Sequence, residues 1–357
     1  MRPKQVIQAL ELLVNRKRPA FLWGPPGVGK SDIIAQVAKR LDMQLVDRRA
    51  ATMGPTDAQG FPCPDTIEGV MKWLPPDFLP PMMIKKEVTT TTGKGKTAKT
   101  TTSIEMVPND SKGILFLDEL NQAVPAIQAT LYQLLLDRRI GNYTLPDGWS
   151  ILAAGNRESD RANAQRMPSA LALRLVHLDY DINVDDWCEW ALEQGDMVPT
   201  ELLAFIRFKP GLLHKFDPSQ RVSPNPRSWV FVGQLTHSKL DAIVETELFN
   251  GAVGEGPATE YRAFLQIYRD LPTVNSIKLN PDTVPIPSSP AVNYALTAAL
   301  AAATEKDTFP RFMQYIKRMG VEWQVTYMRD AKSRTKNSIT NDREFINWSL
   351  KNAAVIT

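Results

Sequence analysis

Eight consecutive residues, Gly24-Pro25-Pro26-Gly27-Val28-Gly29-Lys30-Ser31, match the pattern G-x-x-x-x-G-K-[ST] at every fixed position. Such a segment wraps tightly, so its backbone N–H groups converge on anionic oxygens, and its glycines allow the close approach. Lys30 supplies a point charge for β- and γ-phosphates, and Ser31 supplies a hydroxyl for Mg²⁺. The candidate nucleotide-binding residues are therefore Gly24, Pro25, Pro26, Gly27, Val28, Gly29, Lys30, Ser31 and the adjoining Asp32. A second constellation is Asp118-Glu119, which closes the apolar run Ile114-Leu115-Phe116-Leu117. Two carboxylates at the end of a buried strand are costly without a cation or other partners. Asp118 joins Ser31 as a candidate Mg²⁺ ligand, and Glu119 is the candidate base that polarises an attacking water. The third is Asn156, which follows Ile151-Leu152-Ala153-Ala154-Gly155; its amide can orient that water and contact a γ-phosphate.

These residues need a scaffold that brings strand ends together. Ala20-Phe21-Leu22-Trp23 is a short buried strand running into Gly24. Ile33, Ile34, Val37, Ala38 and Leu41 then recur at helical spacing, so a helix presents its positive end to the phosphates. Further strands are expected at Gln44-Leu45-Val46, Gly113–Leu117, Ser150–Ala154 and Val176-His177-Leu178. A helix is expected over Val124, Ile127, Leu131, Leu134 and Leu135, with Pro125 at its start. Ile140 to Trp149 reads as a hairpin turning at Pro146-Asp147-Gly148. Alternating β and α elements give an α/β, three-layer domain with a mostly parallel sheet over residues 1–183. A smaller all-α lid follows over 184–271, then a Pro-rich connector and helical extension over 272–357.

The 357 residues, 43% of them hydrophobic, suffice for a large core and a smaller domain. A net charge of +3 exerts no overall pull toward nucleic acid or membrane. Cys63 and Cys188 form neither a disulfide framework nor a zinc motif, and no apolar run reaches the roughly 20 residues of a membrane helix. A cytoplasmic protein is expected. The Thr, Lys and Gly of Lys85 to Thr102, within an insertion at about 84–110, offer little to bury and read as a mobile loop. His177, in a strand, reads as a satisfied core residue.

The stretches GPPGVGKS, ILFLDEL and ILAAGN resemble Walker A, Walker B and sensor 1 of the AAA+ ATPases, most closely the MoxR-like branch with helix-2 insertions. The resemblance covers about residues 18 to 240. It implies ATP and Mg²⁺ as cofactors and ATP hydrolysis as the activity. Pro168 to Leu175 resembles the helix that delivers an arginine finger, which makes Arg174 a catalytic residue acting in trans. Arg161, Arg166, Arg138 and Arg139 are rivals for that role. Pro224-Asn225-Pro226-Arg227-Ser228-Trp229 resembles sensor 2, which makes Arg227 a catalytic residue acting within its own subunit. A guanidinium suits the planar anionic γ-phosphoryl group better than an ammonium does.

A finger used in trans implies a homo-oligomer, and the resemblance suggests a hexameric ring. Thr52 to Phe78, with Phe61, Met71 and Trp73, and the Ile140 to Trp149 hairpin are then candidates for the channel. Their side chains serve equally to grip a polypeptide or to pack the insertion. MoxR-like members imply chaperone action on a protein client, with a von Willebrand factor A-domain partner on a separate chain. The alternative is a nucleic-acid motor, supported by Lys85, Lys86, Lys94, Lys96 and Lys99 but not by overall charge or an attached DNA-binding module.

Overall fold

The computed structural model describes residues 1–92, 99–157, 167–217, 219–238 and 240–352, with the backbone alone at 88–92, 99–102, 170–171 and 196. It divides into two units, Met1–Asp181 and the chain from Ile182 onward. In chain order the first unit contains α1 (Pro3–Asn15), β1 (Ala20–Trp23), α2 (Lys30–Arg40), β2 (Gln44–Arg49), α3 (Pro55–Gln59), β3 (Phe61–Asp65), β4 (Val70–Leu74), β5 (Met83–Thr92) and β6 (Lys99–Pro108). It continues with β7 (Gly113–Asp118), α4 (Pro125–Asp137), β8 (Arg139–Ile140), β9 (Tyr143–Thr144), β10 (Trp149–Gly155), α5 (Ser169–Ala172) and β11 (Val176–Asp179).

Five strands form one parallel sheet in the order β11-β1-β10-β7-β2. Strands β7 and β10 lie in its middle and are buried at every position, because both faces of the sheet are covered. Leu115, Leu117, Ile151 and Ala153 pack with Ile127, Leu131 and Leu134 of α4. The alternate residues Ile114, Phe116, Leu152 and Ala154 point the other way and are also fully buried; α1 and α2 contact that part of the sheet. Because the strands are parallel, the segments leaving β1, β7 and β10 emerge at one edge. That edge receives the glycine-rich loop, Glu119 and Asn156.

Two local expectations are corrected. Lys85 to Thr102 is not an unpaired loop. Strands β5 and β6 pair antiparallel from Met83↔Pro108 to Thr92↔Lys99. Threonine is β-branched and favours extended backbone, and cross-strand hydrogen bonding needs no apolar core. Residues 93–98 lie outside the described residues. The hairpin before β10 also turns earlier than expected: Arg139 pairs with Thr144 and Ile140 with Tyr143. Gly141, with φ +52°, makes that turn. Pro146 to Gly148 forms a separate turn, closed by the Trp149 N–H donating to Pro146 O at 3.0 Å.

The second unit is helical: α6 (Val184–Glu193), α7 (Thr200–Phe208), α8 (Pro226–Leu235), α9 (Ala242–Val253), α10 (Glu255–Arg269), α11 (Val274–Leu279), α12 (Pro290–Ala302), α13 (Phe309–Ile316), α14 (Val321–Arg334) and α15 (Arg343–Lys351). Residues on either side of the Pro-rich connector share this unit. Ala291, Ala295 and Ala298 of α12 enter the same core as Phe205, Trp229 and Tyr261, since their small side chains let α12 lie close to α7.

Arg207 of α7 forks onto Asp330 of α14, with Nη2 donating to Oδ1 at 2.7 Å. Their side chains are only 7% and 1% exposed. Burial pulls the guanidinium down, but the Asp330 charge beside it prevails and holds Arg207 above its usual range. Asp330→Ala strands a buried cation and is expected to cost about 3–5 kcal/mol. Denaturant unfolding checks this; replacing both partners by apolar residues of similar volume should cost less.

Candidate functional site

The loop between β1 and α2 reverses sharply on two glycines in the left-handed region, Gly27 at φ +76° and Gly29 at φ +93°. A side chain at either would strain the turn. Gly29 is the N-cap of α2, and no side chain caps it. The first-turn N–H groups of an 11-residue helix therefore face the loop, an arrangement suited to an anion. Asp32 stands in that first turn with an exposed carboxylate. Its backbone N–H, not its side chain, is what it can offer a phosphate.

Lys30, the first residue of α2, is 8% exposed. Its Nζ donates to Gly24 O at 2.8 Å, Pro25 O at 3.0 Å and Asn156 Oδ1 at 2.8 Å. Three neutral oxygens thus hold the ammonium at the mouth of the loop. Asn156 is 5% exposed and reaches Lys30 across 126 residues of sequence.

Ser31 Oγ donates to Asp118 Oδ2 at 2.9 Å. Asp118 Oδ1 accepts the Glu119 N–H at 2.8 Å. On the edge strand, Asp47 is held above the usual carboxylate range, first by desolvation and then by the Asp118 charge. A hydroxyl and a carboxylate side by side, in a field that already disfavours more negative charge, fit a hard divalent cation. Mg²⁺ bound mostly by substrate phosphates and water needs only one or two protein oxygens. Among the described residues no cluster of three or more His, Cys, Asp or Glu side chains is gathered for a metal.

Glu119 is a non-glycine residue at φ +53°, ψ +32°. That conformation is unfavourable by of order 1–3 kcal/mol and is typical of functional positions. Its Oε2 lies 3.5 Å from Arg49 Nε. Arg49 was not anticipated from the sequence. It reaches Glu119 because the β2–β7 register sets Arg49 opposite Asp118.

Three more residues escaped the sequence reading. Asn121, 1% exposed, donates from Nδ2 to Asn156 O at 2.8 Å. Tyr180 donates from its hydroxyl to Val28 O at 3.0 Å, bracing the glycine-rich loop from behind. Arg157 pairs with Asp179 and Asp181 and donates to Tyr180 O. Each contact spans a long stretch of chain, so no local pattern could have revealed it.

The arginines are distributed as follows. Arg174 is exposed on the turn after α5 and forms no ion pair among the described residues. Arg138 is committed to its own loop, donating to Pro146 O and Trp149 O at 2.9 and 2.8 Å. Arg139 is exposed; Arg161 and Arg166 lie outside the described residues. Arg227 belongs to the second unit, exposed at the second position of α8. Asn225 caps that helix and Pro226 opens it. His177 is corrected: it is exposed, not core. Its ring is nevertheless engaged, with Nδ1 accepting from Trp23 Nε1 and Nε2 facing Ala172 O, both at 2.8 Å. With Nδ1 accepting, the ring N–H is placed at Nε2, toward Ala172 O.

Beside the sheet, the β3–β4 hairpin exposes Phe61, Met71, Trp73 and Leu74, and the base of the β5–β6 ribbon exposes Ile104 and Met106. The β8–β9 hairpin joins this surface: Gly141 abuts Trp73, and the Tyr143 hydroxyl donates to Pro80 O. Lys85 and Lys86 are exposed, and Lys86 is paired with Asp110 at 2.8 Å. Among the described residues, no helix is long and apolar enough to cross a membrane.

Residues 20–176 match the family model described as "ATPase family associated with various cellular activities (AAA)". No curated protein matches the chain. Among solved structures, NtrX from Brucella abortus in complex with ADP is 14% identical, over 99% of this chain and 68% of its own, with a TM-score of 0.38. The Thermotoga maritima RuvB Holliday junction branch migration motor is 12% identical, over 98% of this chain and 86% of its own, with a TM-score of 0.33.

Proposed function

We propose that the AAA-family ATPase domain of residues 20–176 hydrolyses Mg-bound ATP, and that copies of the chain form a hexameric ring that remodels a protein partner. The observation that carries the hydrolytic reading is the Lys30 ammonium, held by Gly24 O, Pro25 O and Asn156 Oδ1 at the end of an uncapped helix. The β- and γ-phosphates bind at the α2 N-terminus, against the backbone of Gly24 to Ser31. Ser31 and Asp118 would hold Mg²⁺, which neutralises charge on the phosphates when bound. Water attacks the γ-phosphorus as the bond to the β,γ-bridging oxygen breaks, and ADP leaves. Glu119 takes the proton of that water, after its carboxylate has turned from Arg49. Asn156 orients the water, and Lys30 stays with the phosphate oxygens as their charge redistributes.

Arg174 supports the ring. An exposed guanidinium with no ion-pair partner among the described residues is available to a neighbouring copy, where it stabilises the γ-phosphoryl group. Arg227 acts within its own subunit. The exposed Phe61, Met71, Trp73, Ile104 and Met106 suit an apolar polypeptide better than a phosphate backbone. A MoxR-like chaperone acting on a protein client, with a von Willebrand factor A-domain partner, is consistent with that surface. The second reading, a nucleic-acid motor, rests on Lys85 and Lys86 at the base of the ribbon.

The test is ATP hydrolysis measured against protein concentration, with and without DNA and RNA. A specific rate that rises with concentration and ignores nucleic acid is expected. Arg174→Ala should lower that rate about 10³-fold or more. Mixing it with a Glu119→Gln variant should restore part of the rate, because each supplies what the other lacks. A rate that is low and flat until nucleic acid is added, and sensitive to salt, would replace the protein client with a nucleic acid.

A further inference from the structure

Asn121 lies two residues beyond Glu119, in the turn that leaves β7, and is 1% exposed. Its Nδ2 donates to the backbone oxygen of Asn156, while the Asn156 side chain accepts from Lys30 Nζ. One continuous set of hydrogen bonds therefore runs from the segment carrying Glu119, through two asparagines, to the lysine of the glycine-rich loop.

This arrangement has a cost. Asn121 Oδ1 is buried and has no hydrogen-bond partner among the described residues, although a buried amide oxygen ordinarily finds one. Turning the amide over would set Oδ1 against Asn156 O, two acceptors face to face, so the orientation with Nδ2 donating is the one that holds. The unpartnered Oδ1 also presses on the end of β10: a Cβ on Gly155 would stand 2.0 Å from it. Only glycine lets the two strand ends approach this closely. An apolar residue of similar size would fill the space without an orphaned oxygen, but it could not donate to Asn156 O.

We propose that Asn121 is a positioning residue for the hydrolytic step: it locks the Glu119 segment to Asn156, so that the base and the water-orienting amide keep a fixed separation. This rests on the ATPase reading above. At 1% exposure Asn121 is covered by protein, and its hydrogen bond is to Asn156 O, so it acts through Asn156. Its loss should therefore affect turnover more than nucleotide binding.

The experiment is a double-mutant cycle of Asn121→Ala and Asn156→Ala, with kcat, KM for ATP, fluorescent-nucleotide affinity and thermal unfolding read on every variant. Asn121→Leu serves as a second probe that fills the space without a donor. The expected result is a kcat roughly 10- to 100-fold lower for Asn121→Ala and Asn121→Leu, with affinity within about threefold of the parent, and a double variant close to Asn156→Ala alone. Losses that multiply in the double variant would overturn the proposal. So would losses that follow only the folded fraction, or an Asn121→Leu variant with parental kcat. A parent chain that binds nucleotide but does not turn it over would remove the ATPase reading and this proposal with it. A turning-over parent with an additive cycle would remove the proposal alone.

Discussion

Glu119→Gln is expected to bind ATP within about threefold of the parent and to hydrolyse it at least about 10²-fold more slowly, the range for losing a general base. Glutamine keeps the length and shape of the side chain, so the turn at φ +53° and the Glu119 N–H bond to Asp118 survive. The capacity to take a proton is lost. Glutamine also removes the charge that Arg49 meets at 3.5 Å, so the side chain loses its tether on β2. Both side chains are partly exposed, 54% for Arg49 and 32% for Glu119, and such a pair is weak enough to break when water and nucleotide arrive. Single-turnover hydrolysis beside equilibrium nucleotide binding checks this. Parental turnover would remove Glu119 from the role of base and leave Asp118 as the carboxylate to examine.

Lys30→Met is expected to weaken nucleotide binding by about a hundredfold or more, the scale for removing one partner of a buried charge pair. Methionine fills much of the lysine's volume, but it leaves Gly24 O, Pro25 O and Asn156 Oδ1 without their donor. Each buried acceptor left unsatisfied costs about 1–3 kcal/mol, so this variant should also melt earlier than the parent. Glu119→Gln should show no such shift. Titration with a fluorescent nucleotide, together with a thermal scan in the absence of nucleotide, separates the two effects. Unchanged affinity would mean that the phosphates bind elsewhere than against the α2 N-terminus.

The contrast between these two variants reflects how the site is assembled. Lys30 holds the glycine-rich loop and Asn156 together, so removing it disturbs both the loop itself and the phosphates it would hold. Glu119 stands at the periphery, strained in its backbone and loosely paired, so its contribution falls on the chemical step.

The amino-acid sequence by itself determined the loop and strands that carry the candidate nucleotide site. Gly24 to Ser31 carries its own geometry, because glycines at 27 and 29 are needed wherever the chain turns left-handed. The helical spacing from Ile33 to Ala38 and the unbroken apolar runs before Asp118 and Asn156 are local signals, and α2, β7 and β10 follow them. In the sequence, β/α alternation gives way to helical periodicity at about residue 184; the structure divides into two units, Met1–Asp181 and the chain from Ile182 onward. What tertiary structure alone decided is which distant groups meet. Arg49 reaches Glu119 through strand register, Asn121 reaches Asn156 through the close packing of β10 on the turn after β7, and Tyr180 reaches Val28 from 152 residues away. Composition misled at Lys85 to Thr102, where lack of apolar residues suggested a loop; backbone pairing between β-branched residues makes a ribbon without a core. It was equally silent on α12, whose alanines join residues 290–302 to the core of the preceding helices. Periodicity reports the face an element buries, but the partner that covers it is chosen by the rest of the chain.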